Sequence, residues 1–394
     1  MHETQTRVDE PGARPVTIPG LGRPLRSEEM VINMGPQHPS THGVLRLELV
    51  LDGEVVVDVI PHIGYLHRCF EKHCEHMSNY QQVIPYTDRL DYVAAMSCEL
   101  SYVIAVEKLL KIKLPERVEY IRVIMAEFSR IVSHLIAIGT YGMDIGAFTP
   151  FLYCMRDREH VLDIFEATCG ARLLYNYMWV GGLSHDVPAT FQKDCLDFCA
   201  YFRSKIKELN DLLSYNKIFI ERTAKVGVLP AAVAINYAVS GPSLRGSGVK
   251  WDLRKNDPYS IYNTFDFEIP VGSGEKGITG DCWDRYMVRV REMEQSVNII
   301  EQAAKRLPEG DVQSAIPKRI RPDAGDVYVR TETPKGELGY YVVSDGSATP
   351  FRVKVKAPCF VNLSALPAIS RGAMISDIVA ILGSIDIVLG EVDR

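Results

Sequence analysis

The sequence lacks the Cys-x-x-Cys spacing by which most proteins hold an iron–sulfur cluster. Its nine cysteines are scattered, and the closest pairs, Cys69 with Cys74 and Cys195 with Cys199, are five and four positions apart. This spacing argues against a metal or cluster bound by the chain itself. The cysteines are interpreted instead as small buried hydrophobic residues in a reducing compartment.

The sequence also lacks an apolar run of membrane-spanning length, because a charge, Gly or Ser soon interrupts every strongly hydrophobic stretch. The chain has a net charge of −6, without the excess of basic residues that is typical of nucleic-acid-binding proteins, so nucleic acid is not an expected partner. The N-terminus shows no signal-peptide pattern, and residues 1–29, which are polar and rich in Pro and Gly, are predicted to form a flexible arm. The chain is therefore expected to stay in the cytoplasm, either soluble or docked onto something else.

What the sequence does contain is enough apolar material for a large core, since 46% of its 394 residues are hydrophobic. Residues 30–90 are predicted to be β-rich, with a hairpin turn at Asp52-Gly53. Residues 91–310 have helical periodicity, and residues 311–394 are predicted to form a second β-rich segment followed by a buried C-terminal tail. The predicted fold class is α+β, with a central bundle of long helices and β-sheet regions in the N-terminal and C-terminal parts.

Five long helices are predicted, over residues 92–113, 116–138, 155–178, 189–213 and 284–305. Asp91 is the expected cap of the first, and Pro115 is expected in the first turn of the second. The glycine-rich stretch 240–248 is predicted to be a loop that lets another backbone approach closely. Alternating strands are predicted over 326–360, with turns at 334–336 and 344–346.

The run Gly-Pro-Gln-His-Pro-Ser-Thr-His-Gly-Val at residues 35–44 is the most unusual segment. Its prolines and glycines predict a shaped loop that holds His38 and His42 in fixed directions. Imidazole is well suited to proton transfer near neutral pH, although capping hydrogen bonds or a surface turn remain an alternative. A zinc site is the weaker interpretation, since Pro39 and Gly43 disfavour the helix that would place both rings on one face.

Charged side chains also occur among apolar ones in the second long helix, where Glu127, Arg130 and His134 lie on one arc. Buried charges require partners, so two interpretations stand. The first is a structural network of ion pairs between helices. The second is a link in a proton or charge relay.

Three further polar positions need an explanation. Residues 86–92 place two acids, an arginine and two tyrosines at a loop-to-helix junction, where capping and ion pairing are the usual roles. Asp144 follows the second helix in a Gly-bounded turn and is typical of a turn former. Asp386 is embedded in an apolar tail and needs a partner, for which Arg394 is the candidate.

Several motifs, in a fixed order, resemble those of one known family. They are the 35–44 run, Pro-His-Ile-Gly-Tyr-Leu-His-Arg at 61–68, the segments 88–92, 122–134 and 143–150, Ser-Gly-Pro-Ser-Leu-Arg-Gly at 240–246, Pro-Lys-Gly-Glu-Leu-Gly at 334–339, and the terminal Asp-Arg. Over residues 30–394 the chain resembles the D subunit of bacterial NADH–quinone oxidoreductase, respiratory complex I. That family is similar to the large subunit of nickel–iron hydrogenases, so the resemblance implies a hydrogenase large-subunit-like fold.

A hydrogenase large subunit holds its metals with two Cys-x-x-Cys pairs, and this sequence has neither. The resemblance therefore implies that the former metal cavity receives a quinone headgroup, with menaquinone or ubiquinone as substrate. No metal or cluster is expected in this chain. The electrons would come from a [4Fe–4S] cluster in a partner subunit.

Carried over by position, the family's quinone ligands fall on Tyr92 and His42, whose phenol and imidazole would hydrogen-bond the two headgroup oxygens. Asp144 matches the acid that pairs with the loop histidine. His38 would support the loop or contact the headgroup in a second pose.

The remaining family positions surround that pocket. Arg68 matches an arginine near the partner's cluster, and Asp386 and Arg394 match the C-terminal pair that lines the cavity. Two positions depart from the family pattern: Leu174 stands where many relatives have a histidine, and Trp179 and Val180 stand where an arginine and a proline are common. Loss of an ionisable neighbour is expected to weaken the pH dependence of the cluster's potential, which suggests a low-potential menaquinone.

The resemblance also implies the setting of the chain. It would be a core component of a proton-translocating NADH:quinone oxidoreductase, in contact with the cluster-bearing B subunit, the C and I subunits, and the H subunit of the membrane arm. It would be peripheral, on the cytoplasmic side of the inner membrane, and enzymatic only as part of the complex. The alternatives are a membrane-bound hydrogenase-type large subunit and a scaffold with a vestigial pocket.

Overall fold

The computed structural model describes residues 29–36, 43–317 and 319–394. Most of the predicted arm 1–29 and both loop histidines, His38 and His42, lie outside these residues. The described part of the chain combines long helices with small antiparallel sheets, so the α+β fold class is confirmed.

The first sheet has the order β1-β2-β3 and is antiparallel throughout. Its strands are β1 (Glu29–Met34), β2 (Arg46–Asp52) and β3 (Val55–His62). The predicted turn at Asp52-Gly53 is confirmed, since Asp52 pairs with Val55 across it. The middle strand β2 is buried over five consecutive residues, Leu47 to Leu51, because strands cover both of its edges and its apolar side chains join the main core.

The helical elements follow in chain order. They are α1 (Phe70–His76), α2 (Ile84–Thr87), α3 (Ala95–Leu110), α4 (Glu116–Asp144), α5 (Phe148–Cys169), α6 (Phe191–Leu209), α7 (Lys217–Thr223), α8 (Ala231–Asn236), α9 (Gly241–Gly246), α10 (Leu253–Asn256) and α11 (Cys282–Lys305). A two-stranded hairpin, β4 (Met178–Trp179) and β5 (Gly182–Leu183), lies between α5 and α6. The long helix α4 packs against α5 and α11 and is buried over most of its length.

The last part of the chain forms a second antiparallel sheet of order β6-β7-β8 and a helical tail. Its elements are β6 (Gly325–Thr333), β7 (Gly336–Ser344), β8 (Arg352–Lys356), α12 (Pro358–Leu363), α13 (Leu366–Ser370), α14 (Ile375–Ile385) and α15 (Leu389–Asp393). Both predicted turns are confirmed between these strands. The apolar tail is buried as predicted, because α14 packs against α4 and α11.

Several helix boundaries differ from the prediction, and α5 begins at Phe148, seven residues before the predicted start at 155. The helix predicted over 155–178 ends at Cys169, because Gly170 adopts the left-handed conformation (φ 78°) that closes a helix. Helix α4 extends six residues beyond position 138 to Asp144, which is its last residue instead of part of a separate turn. Asp91 does not cap α3, which begins at Ala95; its carboxylate accepts from the Val93 N–H at 3.2 Å within the preceding turn.

The segment 240–248 is not only a loop, since it contains the short helix α9, but the predicted close backbone approach is confirmed. Gly241 has φ +67°, and a Cβ atom added there would lie 2.5 Å from Gly336 Cα and 2.7 Å from the Lys335 carbonyl oxygen. Only glycine allows the β6–β7 turn to lie against α9.

A network of buried ion pairs holds the centre of the bundle, as the first interpretation of Glu127, Arg130 and His134 predicts. The Arg130 Nε lies 3.3 Å from Glu127 Oε2, and Glu127 Oε1 accepts from Arg254 Nη1 at 3.1 Å. Arg254 also binds Asp252 at 2.7 Å.

The same network continues through α11 and β6. His134 Nε2 lies 2.9 Å from Glu292 Oε2. Arg245 joins Glu292 to Glu332, since its Nη2 lies 2.6 Å from Glu292 Oε1 and its Nη1 lies 2.7 Å from Glu332 Oε1. Burial lowers the pKa of His134 to about 4, so its imidazole is neutral at physiological pH. The network therefore ties five elements, α4, α9, α10, α11 and β6, through side chains that are buried from solvent.

We expect the Arg254→Met variant to lower the free energy of unfolding by about 3–5 kcal/mol, because the buried carboxylates of Glu127 and Asp252 lose their closest cation and keep only Arg130 at 3.3 Å and Arg245 at 3.6 Å. Denaturant unfolding of the purified chain measures the change. Arg371→Met is the matched control, since its ion pair with Asp58 is exposed and the expected change is below about 1 kcal/mol. Equal effects of the two substitutions would contradict the role of the network.

Candidate functional site

Residues 88–94, called here the Tyr92 stretch, lie directly against the C-terminal tail. They form consecutive turns between α2 and α3, with Leu90 N–H donating to the Thr87 carbonyl at 3.1 Å. A Cβ atom added at Gly390 would lie 2.6 Å from the Leu90 carbonyl oxygen and 3.1 Å from Tyr92 Cε1. Glycine at position 390 is therefore required for the tail to reach the half-buried Tyr92 ring.

Arg68 joins these two segments from the surface. Its Nη2 donates to the carbonyl of Arg89 and, at 3.4 Å, to that of Gly390. Its backbone N–H donates to the Arg394 carbonyl at 3.2 Å. The arginine thus lies beside both the Tyr92 stretch and the chain terminus.

Asp393 anchors the segment that precedes α1. Its two carboxylate oxygens accept from the N–H groups of Gly64 at 2.8 Å and Leu66 at 2.7 Å, and its carbonyl oxygen lies 2.6 Å from His67 Nδ1. A cavity of about 340 Å³ opens beside this contact, lined by part of the segment 63–72 and by the last three residues of the chain. Arg394 is on its lining, whereas Tyr92 and Asp386 are not.

Asp386 has partners other than the predicted Arg394. Its Oδ2 lies 2.5 Å from Lys335 Nζ and 3.5 Å from Arg289 Nε. Arg394 instead donates to the Val355 carbonyl at 3.1 Å and lies over the Phe360 ring. The prediction of an Asp386–Arg394 pair is wrong because the helix α15 carries the terminus away, while the β6–β7 turn brings a lysine into the interior.

Two buried acids lie in this region: Asp91 is beside Tyr92 and the Lys335–Asp386 pair, and Glu391 is beside Asp91 and Lys335. Glu391 Oε2 accepts from the Cys359 N–H at 3.1 Å, whereas Glu391 Oε1 and Asp91 Oδ2 receive no hydrogen bond from the described chain. Burial raises the pKa of Asp91 to about 6, although Lys335 opposes the shift. Burial and the neighbouring Asp91 raise the pKa of Glu391 to about 8.

The same surroundings act on the phenol, since burial and then Asp91 raise the pKa of Tyr92. At neutral pH the phenol therefore keeps its proton, and so does the Glu391 carboxyl. The site holds removable protons on side chains that are largely or fully buried, which suits proton delivery to a bound acceptor.

The structure brings together four of the sequence-predicted site residues around the tail: Arg68, Tyr92, Asp386 and Arg394. Asp144 is half-buried at the end of α4, and its predicted partner His42 lies outside the described residues, as does His38. Gly43, the first described residue after His42, lies beside the tail, since a Cβ atom added there would lie 3.6 Å from Leu389 Cγ.

Sequence reasoning misses three residues of this site: Lys335, Glu391 and Asp393. The sequence 334–336 predicts only a turn, and a lysine in a turn is normally solvated. Two features together could have identified Lys335. The glycines at 241 and 336 indicate that the turn packs closely against another backbone and is buried, and the buried Asp386 needs a cation.

Two negative findings concern the described residues alone. In 29–36, 43–317 and 319–394, no group of three or more His, Cys, Asp and Glu side chains is arranged to hold a metal ion. Within the same parts of the chain, every helix is too short or too polar to cross a bilayer.

Comparisons with known proteins give consistent results. The model of the family described as respiratory-chain NADH dehydrogenase, 49 Kd subunit, matches residues 144–323 and 314–394. A Chlorobaculum tepidum protein, named as the D subunit of NADH-quinone oxidoreductase, is 59% identical over 393 residues, 99% of this chain and 97% of that protein. Its namesake in Chlorobium luteolum is 60% identical over 378 residues, 95% of each chain. A Cytophaga hutchinsonii protein, named as the first D subunit of the same enzyme, is 59% identical over 380 residues, 94% of this chain and 97% of that protein.

We expect the free energy of unfolding to depend on pH through Glu391. Its pKa is about 8 in the folded chain against 4.5 when exposed, so between these values the folded state binds one more proton than the unfolded state. Raising the pH through this window therefore lowers stability, by up to about 1.4 kcal/mol per pH unit. The Glu391→Gln variant cannot lose a proton there, so this part of the slope should disappear.

Denaturant unfolding of both chains at about pH 5 and about pH 8, the two ends of this window, measures the difference. Glu54→Gln, an exposed acid on the β2–β3 turn, is the control and should leave the slope unchanged. A slope that is the same in wild type and Glu391→Gln would show that this carboxyl is ionised at neutral pH.

Proposed function

Because the chain belongs to the 49 kDa subunit family of the respiratory-chain NADH dehydrogenase, whose relatives are named as D subunits of NADH-quinone oxidoreductase, we propose that its Tyr92 stretch and C-terminal tail form a quinone-headgroup pocket. As a relative of these D subunits the chain is a core part of an oxidoreductase complex. Catalysis is a property of that complex, and this chain contributes the walls and the proton donors of one site.

Reduction of a quinone to a quinol consumes two electrons and two protons. The Tyr92 phenol and the His42 imidazole hydrogen-bond the two headgroup oxygens and pass one proton to each, while Asp144 pairs with His42 and holds it in place. His38 supports the same loop. The electrons come from a [4Fe–4S] cluster in the partner B subunit, which faces Arg68.

The observation that carries this proposal is the contact of Tyr92 with the tail through Gly390. That contact places the phenol beside Asp91 and Lys335, and Lys335 is paired with Asp386 at 2.5 Å. A pocket that reduces a quinone needs proton donors shielded from bulk water, and Glu391 retains its proton at neutral pH. Arg394 lines the cavity that opens beside the contact between the tail and the segment 63–72.

The wider setting follows from the same family. We place the chain in contact with the B, C and I subunits and with the H subunit of the membrane arm, on the cytoplasmic side of the inner membrane as a peripheral component. Quinone reduction at this site is coupled to proton translocation by the complex. The quinone itself is a substrate, menaquinone in our proposal.

We expect Tyr92→Phe in the assembled complex to lower quinone reductase activity by about tenfold to a hundredfold, because the headgroup loses one hydrogen-bond and proton donor of about 1.5–3 kcal/mol. His42→Ala should have at least as large an effect. NADH oxidation by a soluble one-electron acceptor, which bypasses the quinone, should not change in either variant.

Tyr86→Phe is the matched control, since Tyr86 lies in α2, just before the Tyr92 stretch, and is exposed. A scaffold with a vestigial pocket would keep full quinone reductase activity in all three variants. Nickel bound in stoichiometric amount to the purified chain would instead support the hydrogenase-type alternative.

We expect the midpoint potential of the partner's cluster to change by much less than about 59 mV per pH unit, the value for one proton taken up per electron. The reason is that Leu174 replaces an ionisable histidine at this position. A Leu174→His variant should gain pH dependence, and histidine tolerates the backbone there, where φ is +60°. A potential in the wild-type complex that follows pH steeply would count against both the menaquinone assignment and this role of position 174.

A further inference from the structure

A second pair of acids, Asp88 and Glu99, is buried at the Tyr92 stretch and has no place in the proposed function. Asp88 follows α2 and Glu99 lies in the second turn of α3, and each residue is at most 1% exposed to solvent. The two carboxyl groups are neighbours, because they accept from consecutive peptide N–H groups, Asp88 from Asn176 and Glu99 from Tyr177 and Met178, and each acts on the pKa of the other. Two neighbouring carboxylates repel each other unless a proton lies between them.

The hydrogen bonds that the pair receives from the backbone leave one oxygen of each acid without a backbone donor. Asp88 Oδ2 accepts from the Asn176 N–H at 3.0 Å. Glu99 Oε2 accepts from the N–H groups of Tyr177 at 3.0 Å and Met178 at 2.7 Å. The other two oxygens, Asp88 Oδ1 and Glu99 Oε1, are buried and receive no hydrogen bond from any N–H or hydroxyl donor of the described chain.

The cations nearest to the pair are already committed elsewhere. Arg122 on α4 donates to Glu107 at 2.7 and 2.9 Å and to two carbonyl groups of the hairpin. Arg89, on the same stretch as Asp88, donates to the Pro85 carbonyl. The other titratable groups that face the pair are neutral donors or thiols: Cys98 on α3, Cys169 at the end of α5, Tyr175 and Tyr177.

The peptide groups that the pair binds are those of Met178, the first residue of the β4–β5 hairpin, and of the two residues before it, and side chains hold this hairpin in place at both ends. At the far end Gly181 N–H donates to Glu107 Oε1 at 2.7 Å, and Arg122 neutralises Glu107. At the other end, near Met178, the carboxyl groups of Asp88 and Glu99 accept the backbone N–H hydrogen bonds, and no arginine is paired with them in the described chain. Burial raises the pKa of both acids of the pair, which favours a retained proton in the position that the guanidinium has at Glu107.

We propose that Asp88 and Glu99 bind one proton between Asp88 Oδ1 and Glu99 Oε1, and that this proton positions the β4–β5 hairpin against the Tyr92 stretch. The two acids are positioning residues, since they act on the backbone of residues 176–178 and touch no substrate. The proposal does not depend on the quinone pocket, because it concerns the unliganded chain.

The proton has a measurable consequence. When the hairpin opens, both carboxyls meet water and ionise above about pH 5, so opening releases the shared proton. The population of the open form should therefore rise about tenfold per pH unit between about pH 5 and neutral pH. Opening of a segment that holds no such proton shows no such dependence.

Amide hydrogen exchange of the full chain measures this slope at Tyr177 and Met178, after correction for the pH dependence of exchange itself. In wild type we expect about one proton released per opening. Asp88→Asn and Glu99→Gln should each abolish the slope, because an amide N–H donates to the remaining carboxylate and keeps the contact without a titrating proton. Asp186→Asn, an exposed acid beyond the hairpin, should retain the wild-type slope.

Infrared spectroscopy at neutral pH gives an independent measurement on the same proteins. The carbonyl stretch of one protonated carboxyl should be lost in each of the two amide variants and kept in Asp186→Asn. A wild-type chain whose hairpin opening is independent of pH would overturn the proposal without any variant. So would amide variants that keep both the slope and the carboxyl band.

Discussion

The compensation of buried charge is the constraint on which the rest of this structure depends. The bundle interior contains fully buried acids and arginines, and several of them, such as Arg245 and Arg254, are paired with acids from other elements. The ion pairs of Arg245 and Arg254 therefore fix α4, α9, α10, α11 and β6 relative to one another. Where an arginine is absent, as at Asp88 with Glu99 and at Glu391, the same requirement is met by a retained proton. Structural pairs and protonated acids are thus two solutions to one electrostatic problem.

The C-terminal tail is the point where this constraint meets function. Gly390 lets it lie on the Tyr92 stretch, Asp393 binds the backbone before α1, and Asp386 pairs with Lys335 from the β6–β7 turn. Three distant parts of the chain are joined in this way, and the Tyr92 phenol lies among them. If a quinone binds here, the contacts that join the tail to the rest of the fold also hold the proton donors in place.

Much of the architecture could be predicted from local pattern. The Asp52-Gly53 turn, the helix α11 and both turns of the second sheet follow from turn chemistry and periodicity that tertiary contacts do not override. Boundaries are less predictable, since apolar periodicity continues past Cys169 although Gly170 ends the helix there. The predicted partner of Asp386 is wrong because proximity along the chain is a poor guide to pairing, and an intervening helix turns Arg394 outward.

The sequence by itself determined the fold class, the family and the absence of the paired thiolates that a metal cradle needs, because these depend on residue types, their spacing and their order. It also determined that the charges on α4 need partners. Only the tertiary structure decided which partners the buried charges have: Lys335 for Asp386, Glu292 for His134, and Glu99 for Asp88. Ion pairing and proton sharing depend on distances of a few ångströms between residues far apart in sequence, and no local pattern encodes those distances.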